Sequence, residues 1–207
     1  MKLFIRKNLL FIFTSIFLFS CASSSNVSSK NLENSATNLV QTPSLPIENI
    51  DHKNDVLNDE KTISLLFAGD IMAHSVNFNM KDYNKIYADI LNITQNDDLT
   101  FFNLETPVDG TIPYETYPTF NVQPPYLDAA VNAGFEVFTL ANNHTNDQNE
   151  SGIKQTYKNF SILKDNPEKT VYFSGIKEDK TVKFTYELIE IKGWKILYCG
   201  MTEFLNA

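Results

Sequence analysis

Carboxylates, amides and one imidazole stand at the ends of three apolar runs in this chain. Leu65-Leu66-Phe67-Ala68 leads into Gly69-Asp70, Leu99-Thr100-Phe101-Phe102 into Asn103-Leu104-Glu105, and Phe135 to Leu140 into Ala141-Asn142-Asn143-His144. Oxygen donors of this kind suit hard divalent ions such as Mg²⁺ or Mn²⁺, and an imidazole extends the choice to Zn²⁺ or Fe²⁺. A carboxylate bridging two such ions would generate hydroxide near neutral pH and clamp a phosphoryl group. Each cluster alone also has a structural reading. Gly-Asp is ordinary turn composition, Asn103-Leu104-Glu105 could be a satisfied loop, and an Asn ahead of a helix is a common cap. The three in succession point to one shared pocket, because open α/β sheets bind ligands beyond the carboxyl ends of their strands.

The elements that must position these residues follow from hydrophobic patterning. Ile63 to Ala68, Leu99 to Phe102 and Phe135 to Leu140 read as buried strands. Ile86, Tyr87, Ile90 and Leu91 predict an amphipathic helix over 84–95, and Tyr126 to Asn132 a short helix stopped by Gly134. Ile153, Tyr157, Phe160 and Leu163 predict a helix over 152–163. This β-α-β-α-β-α alternation implies a parallel sheet covered by helices. Lys183 to Ile191 and Trp194 to Met201 flank Lys192-Gly193 and predict an antiparallel hairpin, whose last strand would present an open edge. The Pro- and Tyr-rich stretch from Glu105 to Pro125 is too long for a simple connector and reads as a site element. Within an alternating strand, Asn103 and Glu105 share a face while Leu104 takes the other.

The chain begins with Lys2, Arg6 and Lys7, followed by an almost wholly apolar run from Leu9 to Phe19. That is the pattern of a secretion signal. Cys21 stands where a bacterial lipoprotein carries its acylated cysteine, so residues 1–20 are expected to be a lipoprotein signal peptide. Residues 21–61 are rich in Ser, Asn and Asp, lack a core, and read as a disordered tether that includes His52. The folded domain is expected over 62–207. Removing the signal takes the formal charge from −8 to −11, a poor match to nucleic acid, which needs clustered Lys and Arg. Cys199 then has no disulfide partner and reads as a buried thiol.

The residues also carry a family resemblance. Gly69-Asp70-Ile71-Met72-Ala73-His74, Asn103-Leu104-Glu105-Thr106-Pro107, Tyr117-Pro118-Thr119-Phe120-Asn121, Gly134-Phe135 and Ala141-Asn142-Asn143-His144, in this order, resemble the bacterial CapA family of capsule-synthesis proteins, also named for poly-γ-glutamate synthesis. That family is similar to calcineurin-like metallophosphoesterases. The resemblance implies an α/β/β/α sandwich, of which this chain would supply the N-terminal portion. It implies Asp70, Glu105 and Asn143 as metal ligands, with Glu105 in the bridging position. His144 would be the catalytic residue facing the substrate anion or leaving group, and Asn103, Asn121 and Asn142 would bind substrate. Met72 stands where metallophosphoesterases carry a ligand histidine, and a thioether is a poor ligand for hard ions. His74 has the wrong spacing to replace it and reads as loop packing.

The resulting expectation is a lipid-anchored protein on the exported side of the bacterial cell envelope. It would act in capsule, poly-γ-glutamate or envelope-polymer synthesis through a metal-dependent, phosphoesterase-like site holding Mn, Mg, Zn or Fe. Its partners would be an anionic polymer or phosphoester, the membrane and a capsule-synthesis complex, with no nucleic acid. The alternatives are a non-catalytic envelope-binding lipoprotein and an inactive, C-terminally truncated remnant, since no histidine follows His144.

Overall fold

The structure, a computed structural model, describes residues 62–206 and the backbone of 9–15. Cys21, the tether and His52 lie outside the described residues, so the lipidation and tether expectations are not addressed by it.

Four parallel strands, β2 (Leu65–Ile71), β3 (Leu99–Leu104), β4 (Val137–Thr139) and β5 (Tyr172–Ser174), lie side by side in chain order. Strands laid down successively in one direction, with right-handed crossovers, put every connection on one face of the sheet. That face is covered by α1 (Ser75–Phe78), a 3₁₀ turn at Tyr83–Ile86, α2 (Leu91–Thr94), α3 (Pro124–Asn132) and α4 (Asn149–Lys164). Phe102, Leu104, Phe138 and Phe173 of the sheet meet Tyr126, Leu127, Ala130 and Phe160 of the helices in one buried core. Phe138 packs between Phe102 and Phe160, with ring centroids 4.2 and 4.9 Å away.

The opposite face packs on a second sheet. Strands β6 (Glu187–Ile191) and β7 (Trp194–Met201) form the expected hairpin. Its turn residues Lys192 and Gly193 have φ of 47° and 82°, the left-handed pair that a tight hairpin with right-twisted strands demands. Leu99, Phe101 and Val137 meet Ile189, Ile196 and Tyr198 in a smaller core between the sheets. The described residues thus form three layers, helices, parallel sheet and hairpin sheet, in a mixed α/β fold. The period of β3 then decides where the site lies. Leu99 and Phe101 face the hairpin, and alternation carries that face on to Asn103 and Glu105.

Three expectations are corrected. The first strand is not buried and does not stop at Ala68. It is the edge of the parallel sheet, Phe67 is 54% exposed, and it continues through Asp70 after an irregularity between Phe67 and Asp70. Asp70 is therefore a strand residue and not a turn residue. The helix over 84–95 is replaced by two short turns. Asp82 Oδ1 accepts the Asn84 N–H at 3.1 Å, Tyr87 is buried between the turns, and Thr94 Oγ1 donates to the Ala133 carbonyl. These tertiary bonds override the helical stripe and leave Ile90 exposed. Finally, the β7 edge is paired, because β1 (Leu9–Ser15), inside the segment read as a secretion signal, runs parallel to it from Lys195 to Met201.

The two sheets converge at their site ends. A Cβ on Gly200 of β7 would lie 2.5 Å from Thr139 Oγ1 and 2.9 Å from the Ser174 carbonyl, and its N–H donates to Ser174 Oγ at 3.2 Å. Only a residue without a side chain fits there. The chain after β7 is thereby delivered over the carboxyl ends of β3 and β4.

Candidate functional site

Asp70 and Asn103 are directly opposed in the β2–β3 register, and Asn103 is opposed in turn by Thr139 of β4. Side chains at these positions meet at the mouth of the sheet. Asn103 Nδ2 donates to Asp70 Oδ1 at 2.9 Å and to Glu105 Oε2 at 3.4 Å. Its Oδ1 accepts from Asn142 Nδ2 at 3.0 Å, and the same Asn142 nitrogen donates to the Leu104 carbonyl at 2.9 Å. Asn142 Oδ1 closes its own turn by accepting the His144 N–H at 3.0 Å. The structure thus brings Asp70, Asn103, Glu105, Asn142 and His144 into one network. Asn103 and Asn142 spend their amides inside it as connectors between strand ends.

His144 is 5% exposed and held on several sides. Nδ1 lies 2.7 Å from Asp147 Oδ2, and Nε2 faces Glu105 Oε1 at 3.9 Å. Since a carboxylate only accepts, the Asp147 contact assigns the ring proton to Nδ1 and leaves Nε2 directed toward Glu105. Asp147 Oδ2 also accepts the Phe120 N–H at 2.7 Å, and the Phe120 ring stands edge-on to the imidazole with centroids 4.7 Å apart. The long loop is therefore a wall of the site, tied to the turn that carries His144. Gln148 Nε2 donating to the Phe120 carbonyl and Asn159 Nδ2 donating to the Val108 carbonyl fix it further.

Glu105, 2% exposed, is the electrostatic anomaly. Burial, a hydrogen bond with the Asp70 carboxyl, and the negative charges of Asp70 and Asp147 push its pKa up to about 8. Asp70 itself is exposed, so the network is buried on the β3–β4 side and open on the β2 side. Among the described residues no Lys or Arg pairs with Asp70, Glu105 or Asp147.

Not every expected residue joins. Asn121 is fully buried, but its amide accepts the Asp109 N–H and donates to the Asp109 and Pro113 carbonyls, and so pins the loop. His74 packs on the outer side of Phe120 and reaches Thr116 Oγ1 at 3.2 Å, as loop packing. Conversely, Phe120 and two polar residues outside the expected set, Asp147 and Asn206, touch the imidazole. Asp147 had a weak signal, three residues beyond His144 in the same turn. Asn206 had none, being 62 residues away in sequence.

The donor set can be compared with what a divalent cation needs. Asn143 Oδ1 is a buried oxygen without a hydrogen-bond partner, and the Asp70 and Glu105 carboxyls crowd each other without a neutralising cation. Such oxygens fit one hard cation. They do not make a nitrogen-rich two-ion centre, since among the described residues no group of three His, Cys, Asp or Glu side chains is placed to hold a metal. A protein-family model for the bacterial capsule synthesis protein PGA_cap matches residues 64–207. No curated protein matches the chain.

Proposed function

Because the chain belongs to the PGA_cap family of bacterial capsule synthesis proteins, we propose that it acts in capsule or poly-γ-glutamate synthesis through a cation-assisted phosphoesterase-like site. The substrate would be a phosphoester on, or on the way to, an anionic envelope polymer. The observation that carries this reading is the crowded Asp70–Glu105 pair beside His144, with Asn143 Oδ1 lacking a partner. Asp70, Glu105 and Asn143 would hold the cation, here Mg²⁺ or Mn²⁺. When bound, the cation would polarise a phosphoryl oxygen and acidify a coordinated water.

The remaining chemistry belongs to the chain. Asn103 and Asn142 fix the spacing of the strand ends, so the two carboxylates meet in one orientation. Asp147 holds the Nδ1 proton of His144, which leaves Nε2 to carry or deliver a proton at the leaving oxygen. Phe120 shields one side of the ring from water. The apolar leader and Cys21 support export and lipid anchoring at the cell envelope, where a membrane-held capsule-synthesis complex would be its partner. The acidic charge and lack of clustered basic residues disfavour nucleic acid.

A second reading, a non-catalytic envelope-binding protein, is favoured by one observation. The Asn103 and Asn142 amides are fully engaged internally, and no second set of nitrogen ligands stands nearby among the described residues. Calorimetric titration of the full chain with Mg²⁺ and Mn²⁺, alongside hydrolysis of a nitrophenyl phosphodiester, separates the two. The first reading expects cation binding and cation-dependent turnover, each reduced at least about a hundredfold by Asp70→Ala. Cation binding without turnover, or neither, would leave the second.

A further inference from the structure

We infer that Asn206, on the segment that leaves the hairpin sheet, is a positioning residue of this site, bracing Asn143 and His144 against each other. The inference rests on the functional reading above and adds a residue from a different sheet to it. Three contacts converge on this one side chain and its peptide. The Asn206 N–H donates to the Asn143 carbonyl at 2.8 Å. Asn143 Nδ2 donates to Asn206 Oδ1 at 3.4 Å. Asn206 Nδ2 lies 3.1 Å from His144 Nδ1; because that nitrogen spends its proton on Asp147 and an amide nitrogen only donates, this contact is steric packing and not a hydrogen bond.

The placement has a structural cause. β7 crosses close over β4 and β5 at Gly200, and the six residues that follow turn back across the Asn142–His144 bend. The first of these, Met201 to Leu205, are exposed, and Asn206 is the first to tuck in. An exposed segment has no need to satisfy a buried turn. This one does so through both backbone and side chain, on the two residues whose orientation matters most.

The consequence for Asn143 is specific. An amide has one oxygen and one nitrogen to place, and Asn206 engages the nitrogen. That leaves Oδ1, the buried atom without a partner, as the group turned away from Asn206 and free to bind a cation. For His144, Asp147 takes the ring proton while Asn206 limits the swing of the ring about that bond. Removing the Asn206 side chain would release both constraints without touching Asp70 or Glu105.

The test compares the full chain with its Asn206→Ala and Asp70→Ala variants by three measurements. These are Mg²⁺ titration calorimetry, nitrogen-15 correlation spectra of the His144 ring at fixed pH, and thermal melting as a control for folding. Asn206→Ala is expected to weaken Mg²⁺ binding roughly tenfold. It should also shift or broaden the His144 ring-nitrogen signals, with a melting temperature within about 2 °C of the parent. Unchanged Mg²⁺ affinity and unchanged ring signals in Asn206→Ala, with binding lost in Asp70→Ala, would overturn the inference and leave the functional reading standing. If the parent chain binds no Mg²⁺, the functional reading fails. The ring signals then decide alone: no change in Asn206→Ala overturns the positioning role. If Asn206→Ala melts far lower, Asn206→Ser supplies the same comparison with a smaller loss of packing.

Discussion

The two ends of the parallel sheet each hold a glutamate, half-buried Glu136 at one and buried Glu105 at the other, and the two are treated oppositely. At the amino end, Glu136 Oε2 accepts the Thr100 N–H at 2.8 Å, and its neighbours are equally settled. Asp97 accepts from Thr100 Oγ1, and Asp98 takes the Ser64 N–H together with the ammonium of Lys192, which holds its carboxyl below the usual range. At the carboxyl end, Glu105 has a single long amide contact, a competing carboxyl in Asp70 and an imidazole 3.9 Å away. Burial raises both glutamates, Glu136 to about 7 and Glu105 to about 8. At Glu136 the Asp97 charge adds to the rise and the Thr100 N–H opposes it, whereas at Glu105 a hydrogen bond with Asp70 and the charges of Asp70 and Asp147 all add to it. A carboxylate matched with a backbone donor is settled within the fold; carboxylates crowded together are the arrangement on which the proposed cation site rests.

The sharpest way to break this contrast is to neutralise each glutamate in turn. Glu105→Gln is expected to weaken Mg²⁺ binding at least about a hundredfold, while Glu136→Gln leaves it within about twofold, both read by calorimetry. Equal losses would mean that the two ends do not differ in kind. Next in size is Gly200→Ala, which forces a methyl against Thr139 and Ser174. It should cost about 1–3 kcal/mol in urea melts and loosen the hold of Asn206, with a parallel loss of Mg²⁺ affinity. A stable variant with native affinity would refute the close approach of the two sheets.

The smallest effect concerns pH. The folded-state pKa of Glu136 is raised from 4.5 to about 7, so folding favours its protonated form. Its stabilising contribution is fully present below about pH 4.5 and is lost as pH rises through about 7. Relative to Glu136→Gln, the parent should therefore lose about 1–3 kcal/mol between pH 5 and pH 8 in urea melts. A parent and variant with parallel pH profiles would show that the Thr100 N–H fully offsets burial.

Much of this arrangement is legible in the sequence because it is local. β3, β4, α3 and α4 announce themselves by apolar period, and Lys192-Gly193 by the chemistry of a tight turn. Asp70, Asn103, Glu105, Asn142 and His144 stand out because polar groups abut apolar strands. What escaped was decided at a distance. β5 is three residues long and, unlike the equally short β4 inside the apolar run Phe135 to Leu140, has its apolar residues hemmed by Thr170 and Ser174. The 84–95 stripe is right about Tyr87 and Leu91 facing the core but silent about the break between Tyr83–Ile86 and Leu91–Thr94 and about the Thr94–Ala133 bond that ties down the second turn. Asn121 and Asn103 are the same residue type, and only the loop around Asn121 assigns it to Asp109 and Pro113. Asn206 belongs to the site because two sheets touch at Gly200, which no window of sequence can contain.

That touch at Gly200 also has a consequence for how the protein is made. The contact from Asn206 to the Asn143–His144 turn closes a loop of more than sixty residues, among the costliest closures in this chain. The parallel sheet can assemble from neighbours joined by short crossovers, but the site cannot. The contact of Asn206 with the Asn143–His144 turn therefore requires that the hairpin has already docked on the parallel sheet.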